Sequence, residues 1–359
     1  MDYKVEYLKK RRDIRQYSKF VLGGDVGGTN TSFGVAGIKK SKLELLFTLH
    51  FKTQKIGSLV SAVNETLKYC KDIHRILIKN ACFGVAGIVS SKHDICKMVN
   101  VNLDIDVKEI LKKTKLKSAY LVNDFELIGY GINLLDINDK KDVSKTRHRK
   151  YIGSHMVGTT KAIVGAGTGL GKSILVCDDD KKSYTPVASE GGHGDFPAQD
   201  QSDINLVEFI KKTRKVKQVS YEEVIAGRGI GHIYMFLRSL KKFKHTPYTK
   251  KICDNGYDVE SIARYKNKDK TCKETFRLYA KYYARCVKNF ALDSLSIGGI
   301  YIAGGIAAKH KEMFNTKEFI NEFENNDRLT DILKKMPIYV IVNPNVSLYG
   351  ACLAALKNR

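Results

Sequence analysis

Gly24-Asp25-Val26-Gly27-Gly28-Thr29-Asn30 and Gly165-Ala166-Gly167-Thr168-Gly169-Leu170-Gly171 are two glycine-rich turns, each set between apolar runs. Phe20–Val26 and Ser32–Ile38 flank the first, and Ile163–Val164 and Ser173–Cys177 flank the second. Each turn therefore joins strand to strand. Backbone N–H groups in such turns can converge on an anion where glycine permits φ > 0. Two of them predict a chain that grips both ends of one polyphosphate, and hence a nucleotide-dependent phosphotransferase. Neither is a Walker loop, because the G-x-x-x-x-G-K-[ST] spacing is absent and Gly171-Lys172 opens no helix. Nor is the second a dinucleotide fingerprint, since a strand-like run follows it.

Outward from the turns, 359 residues are too many for one small core and predict two domains around a cleft. Residues 1–18 form a charged, basic N-terminal extension. A small α/β domain is expected over 19–122 together with 344–359, and a large one over 123–343. Residues 58–78 carry Leu59, Val60, Val63, Leu67, Cys70, Ile73 and Leu77 at helical spacing. Short strands are expected at Ala81–Ile88, Ala119–Val122, Ile300–Ala303 and Ile338–Val342. Helical periodicity covers 125–135, 202–215, 220–226, 229–244, 271–297 and 346–357. The polar stretch Asp136–Gly158 reads as a surface insertion or linker. The order of elements is that of an α/β protein in two halves.

The charge of +24 raises the question of nucleic acid. Lysines are spread along the whole chain, concentrated only at Lys9-Lys10-Arg11-Arg12 and between Lys140 and Lys150, and the tyrosines do not alternate with them as a base-stacking platform requires. A solvated lysine-rich surface accounts for the pattern, and no nucleic-acid partner is expected. No apolar run is long enough to cross a bilayer, and the first nineteen residues lack the apolar stretch of a signal peptide. The eight cysteines include no C-x-x-C pair and mostly sit in apolar segments, so buried reduced thiols and a cytoplasmic location are expected.

Asp25 and four further segments carry chemistry. Asp25, at a strand end beside Gly27, Gly28, Thr29 and Asn30, suits a carboxylate facing Mg²⁺ or its waters. Asn123-Asp124-Phe125 ends a strand and opens a helix. An ordinary helix cap explains one such residue, whereas two polar groups ending a buried strand suggest Asp124 as a general base and Asn123 as a hydroxyl ligand. Glu190-Gly191-Gly192-His193 sets a carboxylate and an imidazole on one glycine turn. A structural histidine is the alternative for His193 alone, and one Glu with one His makes a poor zinc site. In Ser220-Tyr221-Glu222-Glu223, Ser220 and Glu223 have capping-box spacing, which leaves Glu222 for ligand. Gly304-Gly305 ends the strand at 300–303, where a flat base and its ribose could lie against bare backbone or a helix could cross closely.

Taken in order, Gly24–Asn30, Phe83–Val89, Asn123-Asp124-Phe125, Gly165–Gly171, Glu190–Phe196, Ser220–Gly227, Gly298–Ile306 and Leu348-Tyr349-Gly350-Ala351 resemble the bacterial-type glucokinase family of the actin/hexokinase/Hsp70 superfamily. The resemblance spans about residues 20–357. It implies the two-domain actin-like ATPase (ribonuclease H-like) fold with its active site in the interdomain cleft. It also implies transfer of the ATP γ-phosphate to the 6-hydroxyl of glucose, with ATP and Mg²⁺ as cofactors and a homodimer as the assembly. Asp124 would be the base, and Asn100, Asn123, Glu190, His193 and Glu222 would hold the sugar. Asp25–Asn30 and Gly167, Thr168 and Gly169 would hold phosphates, with Mg²⁺ bound through ATP and waters near Asp25. Gly304 and Gly305 would take the adenosine. Ala86-Gly87-Ile88 lacks the family's proline, and the cysteine-rich zinc motif of the related repressor and sugar-kinase family is absent.

Three other readings compete. A broader hexose or amino-sugar kinase would keep the same motifs. A sugar-responsive regulator needs a helix-turn-helix, for which residues 1–18 are too short. An actin- or Hsp70-like ATPase has no use for Asn123-Asp124 together with Glu190, His193 and Glu222.

Overall fold

The computed structural model describes residues 2–98, 104–146, 160–178 and 183–357. The chain divides into two compact units, one of Met1–Asp136, Ser183–Ala188 and Asn343–Arg359, the other of Ile137–Lys182 and Ser189–Val342.

In the first unit the strands are β1 (Tyr3–Tyr7), β2 (Ser18–Val26), β3 (Asn30–Lys39), β4 (Lys42–Lys52), β5 (Asn80–Val85) and β9 (Ser118–Asn123), in the order β1-β4-β3-β2-β5-β9. β2, β3 and β4 form an antiparallel meander, while β5 and β9 add to β2 in parallel. Three short strands, β6 (Gly87–Val89), β7 (Ile95–Met98) and β8 (Asp104–Asp106), make a separate antiparallel sheet.

Alternation along the large sheet sends its side chains to two cores. Phe33, Phe47, Phe83 and Leu22 pack with Leu59 and Val63 of helix α1 (Leu59–His74) and Ile110 of α2 (Val107–Lys113). Val21, Ala36, Cys82 and Val122 face Leu127 of α3 (Asp124–Ile132) and Leu348, Ala351 and Ala355 of the C-terminal helix (Val346–Lys357). Those two helices cross closely: a Cβ on Gly350 would lie 1.7 Å from the Leu127 oxygen, and one on Gly131 2.2 Å from the Val346 oxygen.

Several expectations change here. α1 starts at its Ser58 cap and stops at Arg75, whose φ of 57° ends the helix, so Leu77 lies beyond it and is exposed, and Ile73, within the last turn, is exposed as well. The N-terminal segment is not a free extension. β1 pairs along the whole of its length with β4, and Tyr7 Oη bonds Tyr69 Oη at 2.5 Å and His74 Nε2 at 2.9 Å. The expected boundary at 122/123 also shifts, because α3 packs on the C-terminal helix and residues up to Asp136 stay with the first unit.

The second unit contains β10 (Val143–Lys145), β11 (Lys161–Ala166), β12 (Leu170–Asp178), β14 (Ile300–Ala303) and β15 (Ile338–Ile341), while β13 (Ser183–Ser189) groups with the first unit up to Ala188. Its sheet runs β10-β15-β14-β11-β12, with β11, β14 and β15 mutually parallel. β10 falls inside the expected insertion and pairs with β15, so that stretch is partly built into the sheet. Residues 147–159 of it lie outside the described residues.

Helices α4 (Gln201–Arg214), α5 (Tyr221–Ile225), α6 (Gly227–Ser239), α7 (Pro247–Asp254), α8 (Val259–Arg264), α9 (Lys270–Asp293), α10 (Gly305–Lys309), α11 (Lys317–Glu324) and α12 (Thr330–Leu333) complete the unit. Their core is aromatic, with Tyr234, Tyr279, Tyr282, Tyr283, Phe314 and Phe319 fully buried. α9 runs through it and carries the fully buried Arg285, paired with Asp203 of α4 at 2.6 Å and Glu322 of α11 at 2.8 Å.

Candidate active site

Two groups of side chains form, one in each unit. In the first unit they gather at the C-terminal ends of the parallel strands β2, β5 and β9, the edge where open α/β sheets bind ligands. Asp25 lies opposite Gly84, and Val26, Val85 and Asn123 stand side by side. Asp25 accepts a bond from Ser347 Oγ at 2.6 Å, and burial holds its carboxyl above the usual range despite that bond.

The β2–β3 turn is fixed from its rear. Gly27 N donates to Asn30 O at 3.0 Å, Thr53 Oγ1 to Gly27 O at 2.7 Å, and Thr53 N to Thr29 O at 3.0 Å. A trans peptide opposes its C=O and N–H, so anchoring the Gly27 carbonyl on Thr53 directs the Gly28 N–H the other way. Thr29 and Asn30 are exposed, and Lys52 Nζ bonds Asn30 Oδ1 at 2.9 Å.

Asn123 is the N-cap of α3. Its Oδ1 accepts from Phe125 N at 2.9 Å, and Glu126 Oε2 accepts from Asn123 N at 2.9 Å, a complete capping box. The ordinary cap reading of Asn123 therefore holds. Its Nδ2 reaches Gly87 O at 3.5 Å. Asp124 opens the helix, with Oδ1 accepting from Phe125 N at 3.1 Å. A carboxylate in the first turn of a helix is favoured by the helix dipole.

In the second unit the β11–β12 turn lies beside the end of β14, since Gly165 pairs with Ala303. Gly304 follows with φ 98°, and a Cβ there would meet the Ala166 oxygen at 2.3 Å, so two independent constraints require glycine. Cβ positions on Gly167 and Gly305 meet nothing within 4 Å, which leaves open backbone at this edge. The expectation that glycine serves both turns through φ > 0 fails. The described glycines with positive φ are Gly57, Gly256, Gly299 and Gly304. At Gly169 glycine serves close approach instead, since a Cβ there would lie 2.8 Å from Glu222 Oε2.

Glu190 and His193 flank a 3₁₀ turn over Gly191–His193, both exposed, with His193 Nε2 3.8 Å from Glu190 Oε2. Gly192 holds that turn on β12, for a Cβ on it would meet the Leu170 oxygen at 1.9 Å. The same Leu170 donates its N–H to Glu222 Oε2 at 2.9 Å. Glu190, His193, Glu222 and the glycine turn are thus brought together around the first residue of β12.

The expected capping box at Ser220 is not formed, as the Ser220 side chain makes no cap bond. Glu223 turns instead to Arg228 Nε at 3.0 Å and stands 3.7 Å from His232 Nδ1 and 3.6 Å from Arg214 Nε. Arg228 was not singled out by the sequence, where one arginine between Gly227 and Gly229 reads as surface charge. Burial works against its charge, but bonds to Glu223 and Glu222 hold its pKa raised. Asn100 lies outside the described residues. No group of three or more His, Cys, Asp or Glu that could hold a metal ion is present among the described residues.

A glucokinase family model matches residues 22–358. The glucokinase of Trichormus variabilis is 30% identical over 353 residues, covering 94% of this chain and 99% of that protein. Among solved structures, glucokinase from an Antarctic psychrotroph aligns with a TM-score of 0.77 at 22% identity, covering 95% of this chain and 100% of that one. A ROK family glucokinase from Streptomyces griseus, in complex with glucose and AMPPNP, aligns with a TM-score of 0.60 at 15% identity, covering 94% and 100%. The fold is that of the two-domain actin-like ATPases.

Proposed function

The chain belongs to the glucokinase family, and on that premise we propose roles for its residues in an ATP-dependent kinase that phosphorylates glucose. The acceptor is the sugar's 6-hydroxyl. Asp124 takes the hydroxyl proton as the oxygen attacks the γ-phosphorus, the bond to the bridging oxygen of ADP breaks in line, and the proton leaves to solvent. The observation that carries this role is the placement of Asp124 at the N-terminus of α3, on the strand-end edge that also bears Asp25.

Asn123, Glu190, His193 and Glu222 hold sugar hydroxyls. For Asn123 the available group is Nδ2, since its oxygen caps α3. The N–H groups of Gly28 in the first turn and of Thr168 and Gly169 in the second hold phosphates, since those of Gly27 and Gly167 donate within their own turns, and the open backbone at Gly305 leaves room for adenosine. Phosphoryl transfer gains most of its rate from positioning and charge neutralisation. Mg²⁺ carried in with ATP would supply part of that neutralisation while keeping several of its waters. Asp25 is the carboxylate suited to those waters, which matches a lone acid beside a phosphate turn.

The free thiols favour the reducing cytoplasm: Cys70, Cys82, Cys96, Cys272, Cys286 and Cys352 are buried and unpaired. The expected homodimer is checked by sedimentation equilibrium. A coupled assay over a panel of hexoses, amino sugars and phosphoryl donors tests the activity. Turnover with ATP and glucose is expected to lead; turnover on an amino sugar alone, or ATP hydrolysis indifferent to sugar, would reject the assignment.

A further inference from the structure

We propose that Arg228 is a positioning residue that couples sugar recognition to nucleotide recognition, an inference that rests on the kinase reading above. Its planar fork reaches three acceptors. Nη2 donates to Glu222 Oε1 at 2.5 Å, Nε to Glu223 Oε1 at 3.0 Å, and Nη1 to the Thr168 carbonyl at 3.2 Å. One cation thus joins the sugar-side acid to the backbone of the phosphate turn.

The turn is held at both of its peptides. Gly227 N donates to Gly167 O at 2.9 Å, and Arg228 takes the next carbonyl, that of Thr168. Because a trans peptide opposes its two polar groups, these anchors aim the N–H groups of Thr168 and Gly169 away from α6. They are the donors a phosphate would meet. The first unit uses the same device at Gly27, with Thr53 as the anchor. What differs is that the second anchor also grips Glu222, whose other oxygen accepts from Leu170 N at the foot of the same turn.

A cation in the first turn of a helix opposes the helix dipole. Arg228 is the second residue of α6, so its position needs the two carboxylates it holds. The rigid spacing of guanidinium donors is what permits three acceptors at once, and an ammonium cannot reproduce it. When a sugar hydroxyl bonds Glu222, the carboxylate, the fork and the Thr168 peptide settle together. Sugar then pre-aims the phosphate donors, and nucleotide pre-orders Glu222.

Titration calorimetry on the full chain with AMPPNP, with and without saturating glucose, measures this coupling. The wild type is expected to bind AMPPNP about 5-fold or more tightly with glucose present. Arg228→Lys and Arg228→Gln are both expected to bring that ratio close to 1, the first with a melting temperature near wild type and the second with one lowered by loss of the two ion pairs, whereas Glu223→Gln keeps the ratio. A merely structural arginine would lower stability and leave the ratio alone. An unchanged ratio in both Arg228 variants, a wild-type ratio of 1, or a ratio lost equally in Glu223→Gln overturns the proposal. Failure of the wild type to bind or phosphorylate glucose overturns the kinase reading instead, and shows before any variant is made.

Discussion

Asn123 and Asp124 are adjacent yet do different work. Asn123 spends its oxygen on the helix cap, so its loss costs stability as well as any sugar contact. Asp124→Asn keeps a first-turn acceptor and removes the base. It is expected to cut kcat by about 10²–10⁴-fold while AMPPNP affinity stays near wild type, compared by coupled assay and calorimetry; a near-normal kcat would dismiss Asp124 as base. A second comparison separates the paired glutamates. Glu222 touches the glycine turn through Leu170 N, whereas Glu223 is directed to Arg228, Arg214 and His232. Glu222→Gln should therefore raise the KM for glucose well above that of Glu223→Gln, and Glu223→Gln should chiefly lower the melting temperature. Equal KM values would reject this division, which now rests on observed partners and not on a cap at Ser220.

At the scale of elements, the crossing of α3 with the C-terminal helix sets where Asp124 stands. A methyl group on Gly350 would collide with the Leu127 carbonyl of α3, and backbone cannot yield as a side chain tip can. Gly350→Ala is expected to destabilise the protein by about 1–3 kcal/mol and to lower kcat as well, because α3 must shift; denaturant unfolding and the coupled assay together check it, and wild-type behaviour in both would refute the contact. Removal of residues 2–8 makes a contrasting case. It strips β1 from β4 and breaks the Tyr7 bonds to Tyr69 and His74, at the sheet edge opposite β9. A lower melting temperature with kcat retained is expected. These elements also show what could be read in advance. The glycine turns were legible because their flanking apolar runs are short and paired, and α9 because its apolar spacing is long and regular. β1 was not: Tyr3-Lys4-Val5-Glu6-Tyr7 alternates correctly, but its charges fit an extension equally well until a partner strand is known. Arg228 was opaque for the same reason, since its three acceptors come from segments about five to sixty residues away.

For the molecule as a whole, the formal charge of +24 has two consequences that run on different variables. The field draws anionic ATP toward the protein, and dissolved salt screens it over about 10 Å at 0.1 M and about 3 Å at 1 M. The KM for ATP should climb with NaCl while that for uncharged glucose stays level. The second variable is pH. His50, His74, His232 and His310 all have pKa values lowered, burial being the largest cause in each. Unfolded, each titrates near 6.5, so below that value the unfolded chain binds more protons than the folded one. Stability is then fully present above about pH 6.5 and drains away as pH falls through the lowered folded values. Acidification also adds positive charge to a chain already carrying a large excess. Melting temperatures taken from pH 8 to pH 5 should be level at first and fall below about pH 6.5, with the fall softened by salt and lessened in His232→Gln, which removes an imidazole whose pKa is lowered by burial and by the charges of Arg214 and Arg228. A melting temperature that rises on acidification would mean that these imidazoles gain protons on folding, the reverse of what their burial dictates.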